Sequence, residues 1–253
     1  MRALVRELSI DGLQGCELTH LERRPIDADR ARREHVAYVE ALRALGIDVT
    51  VLPPLPGHPD GVFVEDCAVV LDEVAVIARP GAASRRGETA SVAAALAPHR
   101  ECVAIEEPAT LEGGDVLVCG DVAYVGWSSR TNHAGLKRLA HLILEHGYRV
   151  KAVEVQGCLH LKSAVTRLDD ERLVANTGWL GMERVSGLEV VDVHPDEPGG
   201  ANVLAVDGTL LCSAAHPRTN ERLERLGYSI EVLALDELHK MESGVTCSSI
   251  LFR

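Results

Sequence analysis

A cysteine, a histidine and a glutamate carry the chemistry that this chain is best placed to perform. Cys247 sits in Ser243-Gly244-Val245-Thr246-Cys247-Ser248-Ser249, between a glycine-containing turn and the short apolar run 250–252. That is a natural place for an accessible nucleophile, and a thiolate attacks electrophilic carbon well. His160 can move protons near neutral pH, and Glu112 can orient its ring and favour the charged form. Together they suggest a Cys-His-Glu hydrolase. Singly, each has a structural alternative. A lone cysteine packs as a small buried hydrophobe, a histidine can be a satisfied core residue, and acids such as Glu112 and Asp66 can bond turn amides. Position favours chemistry, because the three recur at equivalent points of an internal repeat.

The elements that must bring them together follow from that repeat. Four segments read as hairpins, each with two short apolar strands around an acidic or glycine turn: 65–79, 112–125, 160–175 and 201–212. Helical stretches at 28–46, 86–97, 132–147 and 217–227 follow or precede them. In the first, Val36, Val39, Leu42 and Leu45 share a face and Gly46 supplies a stop. The third unit is shorter, with a weak helix around 178–187. Further strands come at 48–52, 103–105, 150–155 and 230–235. The unit is strand-strand-helix-strand, repeating roughly every 45 residues, a period that suits radial arrays. Segments 248–252 and 3–8, with 28–46 and 48–52, complete a fifth unit shared by the two ends of the sequence. Such a ring removes exposed sheet edges. The expected fold is a five-bladed α/β propeller over 1–253 as one catalytic domain. A doubly wound sheet is the alternative, but no GxGxxG loop supports its nucleotide crevice.

On that ring the starts of the first strands carry Asp66, Glu112, His160 and Cys247, and the ends of the second strands lead to Arg85 and Arg130. Units pointing the same way around one axis would turn all six side chains into a central cavity. Guanidinium groups fit a carboxylate in two-point contact, and carboxylates fit a guanidinium or ammonium. The cavity therefore suits a zwitterionic amino acid with a cationic tail. The arginines also have a plain reading as solvated surface groups.

Bulk properties narrow the classes. Charged content of 25% and hydrophobic content of 46% suit a soluble globule with an ample core. Aromatic content of 3% argues against nucleic-acid binding through stacked rings, and a net charge of −12 repels phosphate backbones and anionic lipid. Seven cysteines without a CxxC pair fit a reducing, cytoplasmic setting and offer no zinc-site spacing. No apolar run is long enough for a membrane span or signal peptide. The expectation is a small-molecule partner, with no cofactor, metal, nucleic acid or membrane. A homodimer is compatible with every feature read here.

Several strings together resemble the dimethylarginine dimethylaminohydrolase family. They are Val64-Glu65-Asp66, Arg79-Pro80-Gly81-Ala82-Ala83-Ser84-Arg85-Arg86, Leu111-Glu112-Gly113-Gly114-Asp115, Ser129-Arg130-Thr131-Asn132, His160-Leu161-Lys162-Ser163 and Thr246-Cys247-Ser248. The resemblance runs from about residue 18 to the end. It implies the guanidino-group-modifying superfamily, a five-bladed α/β propeller (the pentein fold), and hydrolysis of Nω-methylated arginine to citrulline and a methylamine. By similarity Cys247, His160 and Glu112 are catalytic. Asp66 grips the guanidinium, with Glu65 beside it in the substrate-binding set. Arg85 and Arg130 hold the α-carboxylate, while Asp60 and the main chain near Leu18 and Met241 meet the α-amino end. Many relatives carry two adjacent cysteines at the nucleophile, and here Ser248 follows Cys247. Arginine deiminases and amidinotransferases carry His-x-Asp, whereas here Lys162 stands two residues after His160. That departure implies methylated arginine over arginine. The competing readings are an arginine deiminase-like or other alkylguanidine hydrolase, and a non-catalytic propeller of the ribosome anti-association type.

Overall fold

Strand β1 (Arg2–Arg6) pairs in parallel with β2 (Asp48–Leu52), and helix α1 (Ala28–Ala44) makes the crossover between them. Asp27 caps α1 by accepting from the Arg30 N–H at 3.0 Å, and Gly46, at φ 78°, releases the chain beyond it. Tyr38 and Leu42 face inward from α1 and are almost fully buried. The computed structural model describes residues 1–181 and 187–253. The weak helical stretch read at 178–187 falls mostly on 182–186, outside the described residues.

The next four sheets repeat one pattern, a hairpin followed by a parallel third strand. Strands β3 (Ala68–Val70) and β4 (Val74–Ile77) form the first hairpin, helix α2 (Thr89–Leu96) crosses over, and β5 (Glu101–Ala104) returns parallel to β4. In the second, β6 (Val116–Cys119) and β7 (Val122–Trp127) lead through α3 (His133–Leu144) to β8 (Arg149–Glu154). In the third, the single-turn helix α4 (Leu161–Ala164) opens into β9 (Val165–Arg167), β10 (Arg172–Ala175) and β11 (Glu189–Asp192). The fourth holds β12 (Leu204–Val206), β13 (Thr209–Ser213), α5 (Pro217–Arg225) and β14 (Ser229–Leu233). After the short α6 (Asp236–His239), β15 (Ile250–Phe252) pairs antiparallel with β1, so Leu4 faces Ile250 across the seam. The five sheets of three strands make an α/β propeller whose fifth blade joins both ends of the sequence.

One helix starts later than periodicity alone suggests. The expected 86–97 helix begins at Thr89, because Ala83–Glu88 is a tighter 3₁₀ turn that carries Arg85 inward. The expected strand starts also differ. Val64–Cys67, Gly113–Asp115, Leu161–Ala164 and Thr246–Ser248 are single helical turns, and pairing begins only after them. A turn packed at the hub cannot offer its backbone to a ladder, so the functional side chains leave from lead-in turns rather than from strands.

The innermost strands β3, β6, β9, β12 and β15 line an open central channel of about 820 Å³. Apolar clusters fill the spaces between neighbouring blades and their helices. One joins Val69, Val76, Leu111 and Val125 to Leu139 of α3, and another joins Val64 and Ile77 to Leu96 of α2. Emptying one such site, Leu139→Ala for example, typically costs about 2–5 kcal/mol.

Candidate active site

Each predicted residue reaches the hub by way of a lead-in turn. Asp66 and Cys247 lie within such turns, while Glu112 and His160 immediately precede theirs. Two glycines allow the turns to touch. A Cβ on Gly113 would sit 2.0 Å from the Glu65 carbonyl oxygen. One on Gly114 would sit 2.7 Å from both Asp66 Oδ1 and His160 Nδ1. No side chain fits there, which accounts for Glu112-Gly113-Gly114 as a string.

His160 Nε2 is 2.7 Å from Glu112 Oε2, and its Nδ1 lies 3.7 Å from Asp66 Oδ1. Glu112 is fully buried, and its other oxygen accepts the Gly81 N–H at 3.0 Å. Asp115, also fully buried, accepts the Leu161 N–H at 3.0 Å and the Ser128 hydroxyl at 2.6 Å, fixing the backbone beside the imidazole. Burial alone would lower the His160 pKa, but Asp66, Asp115 and Glu112 outweigh it and raise the ring to about 9. In return the imidazolium, Arg85 and Arg130 hold the Glu112 carboxyl well below the usual range against the opposing effect of burial. The pair is an ion pair at neutral pH.

Cys247 lines a tight chamber together with Asp60, Asp66, Arg85, Arg130, His160 and Met241. Its sulfur accepts the Gly244 N–H at 3.2 Å. Burial, then Glu65 and Asp66, push the thiol pKa far up, against a smaller pull from the Gly244 N–H and Lys162. The resting residue is therefore a thiol beside an imidazolium.

Asp66 uses both oxygens, taking the Gly114 N–H at 3.1 Å and Arg85 Nη1 at 2.7 Å. Arg85 also donates to Glu88 at 2.9 Å and to the carbonyls of Asp60 and Phe63. Its fork is engaged by protein groups and braces Asp66, and the residue also lines the chamber in which the expectation places it. Arg130 differs. Its Nη2 donates to Thr19 Oγ1 at 3.2 Å, while the buried Nη1 has no hydrogen-bond partner and lies 3.6 Å from Glu112 Oε1. A guanidinium on a chamber wall with one nitrogen free of hydrogen bonds is suited to a ligand oxygen.

The remaining expectations divide. Asp60 lines the chamber and takes the Glu17 N–H at 2.9 Å. Leu18 is not a lining residue, and it packs in the apolar cluster that contains Met241 and Cys247. Glu65 lies elsewhere. It does not line the chamber, because its carboxylate is taken by Lys162 Nζ at 2.7 Å and the Thr246 hydroxyl at 2.7 Å, and it faces the central channel instead. Sequence reasoning missed Glu242, whose carboxylate accepts the Thr19 and His20 N–H groups at 2.6 and 2.9 Å and draws that segment to the chamber. It also gave no role to Asn202, although the repeat places it just before the first strand of the fourth hairpin, a position equivalent to the others. Asp66, Glu112 and His160 have donor atoms within 4.8 Å of one another. With a proton on the ring and two arginines alongside, the cluster is an ion-pair assembly rather than a metal centre.

A five-bladed propeller with an acid–imidazole pair and a cysteine at its hub defines the class: a pentein, the fold of guanidino-group-modifying enzymes. A family model described as eukaryotic N,N dimethylarginine dimethylhydrolase matches residues 19–166. An N(G),N(G)-dimethylarginine dimethylaminohydrolase of Streptomyces coelicolor is 42% identical over 100% of this chain and 97% of its own. One from Pseudomonas aeruginosa is 34% identical over 89% and 90% of the two chains. The solved Pseudomonas aeruginosa enzyme, a cysteine-to-serine mutant complexed with citrulline, superposes with a TM-score of 0.94 at 31% identity, covering 99% of this chain and 98% of the other. This chain belongs to the dimethylarginine dimethylaminohydrolase family. A cyanobacterial arginine dihydrolase domain, 16% identical with a TM-score of 0.85, shares the fold.

Proposed function

We propose that this chain hydrolyses Nω-methylated arginine, asymmetric dimethylarginine or monomethylarginine, to citrulline and the corresponding methylamine. The observation that carries this reading is the shared chamber, lined by Cys247, His160, Asp66 and Arg130, with Glu112 behind His160 holding its ring at 2.7 Å. Arg130 with Arg85 takes the substrate carboxylate, and Asp60 with the backbone near Met241 and Leu18 takes the α-amino end. Asp66, braced by Arg85, accepts from the guanidinium. Residues 1–253 act as one catalytic unit. Free cysteines throughout the chain suit a cytoplasmic setting, and the substrate is the only partner the reading needs.

The bound cation favours ionisation of Cys247, whose proton leaves as the substrate enters. The thiolate attacks the guanidinium carbon and a neutral tetrahedral adduct forms. His160, held at Nε2 by Glu112, gives its Nδ1 proton to the substituted nitrogen. The carbon–nitrogen bond breaks, dimethylamine departs, and an S-alkylthiouronium remains on Cys247. Neutral His160 then takes a proton from water, hydroxide adds to the same carbon, and collapse expels the thiolate and leaves citrulline after loss of a proton.

Lys162 does not line the chamber, so the residue two after His160 presents no second carboxylate to the guanidinium. An unsubstituted amino group would lack a partner there at a cost of about 1–3 kcal/mol, whereas a methyl group needs none. Rapid acid quench and mass spectrometry should find a thiouronium on the Cys247 peptide, and Cys247→Ser should abolish turnover with the fold intact. Turnover without that adduct would sink the mechanism, and a higher kcat/KM for arginine than for asymmetric dimethylarginine would sink the substrate choice.

A further inference from the structure

Behind the nucleophile lies a closed ring of polar side chains that the reaction itself does not use. Lys162 Nζ donates to Glu65 Oε1 at 2.7 Å, and the Thr246 hydroxyl donates to Glu65 Oε2 at 2.7 Å. Asn202 then closes the circuit. Its Nδ2 donates to the Lys162 carbonyl at 2.8 Å and to Thr246 Oγ1 at 3.1 Å, and its Oδ1 accepts the Thr246 N–H at 2.9 Å. Every member belongs to, or adjoins, a lead-in turn: Glu65 beside Asp66, Lys162 two after His160, Thr246 before Cys247, and Asn202 in the fourth blade. Packing at this junction is tight. A Cβ on Gly244 would lie 2.3 Å from Asn202 Cγ, and Gly244 is the residue whose N–H meets the Cys247 sulfur.

The ring faces the central channel, since Glu65, Lys162 and Thr246 line it and none lines the chamber. Lys162 keeps 19% side-chain exposure and Glu65 only 9%, so the ammonium sits at the wetter end of the pair. We propose that Lys162 is a positioning residue for the nucleophile: by neutralising Glu65 from the channel side, it allows Cys247 to ionise while the Glu65–Thr246–Asn202 contacts hold the cysteine turn against the histidine turn. The inference rests on the reading of Cys247 as nucleophile.

The charge balance explains why a lysine is needed. Glu65 and Asp66 both disfavour a thiolate, and Lys162 is a side-chain cation that opposes them at the sulfur from the channel side. Tyr38, buried against Ser249, is a further titratable neighbour. His160, Arg85, Arg130, Asp60 and Glu242 stand around the chamber itself. Asp66 has Arg85 as its own counter-ion, and Glu65 has Lys162. Removing the lysine leaves one uncompensated carboxylate, hydrogen-bonded to the residue next to the sulfur.

The test reads the thiol directly. Alkylation of the Cys247 peptide by iodoacetamide is followed by mass spectrometry from about pH 7 to about pH 10, where thiolate fraction sets the rate. Lys162→Met should slow alkylation about tenfold at fixed pH and move the profile up by about one unit, the low end for a neighbouring charge. The kcat/KM profile should move with it. Lys162→Arg should restore both, and Glu65→Gln in the Lys162→Met background should restore the alkylation profile. Should Lys162→Met fail to fold, Glu65→Gln alone should speed alkylation, and an unchanged or slower rate would overturn the proposal. A folded Lys162→Met protein with an unaltered alkylation profile overturns it as well, whatever happens to turnover. Failure of the nucleophile reading would look different, as turnover by Cys247→Ser.

Discussion

Adjacent residues of the same lead-in turns face two different spaces. Asp66, His160 and Cys247 line the closed chamber, while Glu65, Lys162 and Thr246 line the open channel. On the chamber side, charges are buried and fixed by one another and by backbone amides. At the channel rim, Asp170 pairs with Arg167 across a side chain that is 91% exposed. The contrast shows how one repeated turn is used twice. A residue turned inward meets substrate, and its neighbour, turned the other way, supplies support or merely solubility. Charge is therefore expensive to disturb where it is buried at the hub and cheap at the channel rim.

Four substitutions break or sharpen that contrast. Arg85→Met strips the counter-ion from Asp66 and Glu88, both buried, and should cost about 3–5 kcal/mol in urea unfolding, the range for orphaning a buried charge. Stability close to the parent protein would show the chamber to be as forgiving as the rim. His160→Gln should lower kcat by about 10²–10⁴-fold, the usual contribution of a proton-transfer group. In the parent protein, kcat should hold through neutral pH and fall as pH passes about 9, where the ring loses its proton. The same raised pKa stabilises the fold fully below the ordinary 6.5, and that contribution drains away as pH climbs through about 9. Gly114→Ala forces a methyl between Asp66 and His160 and should reduce kcat by about 10²-fold, as small displacements of reacting groups do. Unchanged kinetics would mean that the two turns separate without penalty. Asp170→Asn, at the rim, should leave kcat/KM and the melting temperature unchanged.

Much of this was legible in the sequence because the repeat fixes which residues occupy equivalent turns. Asp66, Glu112, His160 and Cys247 followed from that equivalence, and so did the seam between β15 and β1. Residues whose meaning depends on their partners were not legible. Arg85 reads as a ligand clamp, and its sequence position gives no sign that Glu88 and Asp66 also engage its fork. Glu65 reads like its neighbour Asp66 until one is seen to face the channel and the other the chamber. Asn202 stood in the fourth hairpin at the right position, but an amide there carries no obvious chemistry, and its value lies in bonding two turns from elsewhere. The lead-in turns were taken for strand because an apolar run does not reveal where ladder pairing begins.

The β15–β1 seam has a kinetic consequence. The four hairpins join residues close in sequence and can form early, whereas the seam pairs Arg2 with Phe252 and pays nearly the largest loop-closure entropy the polypeptide allows. Cys247 sits just before that seam, so the sulfur reaches its working place only when the circle shuts. During refolding, helix content should return first and catalytic competence last.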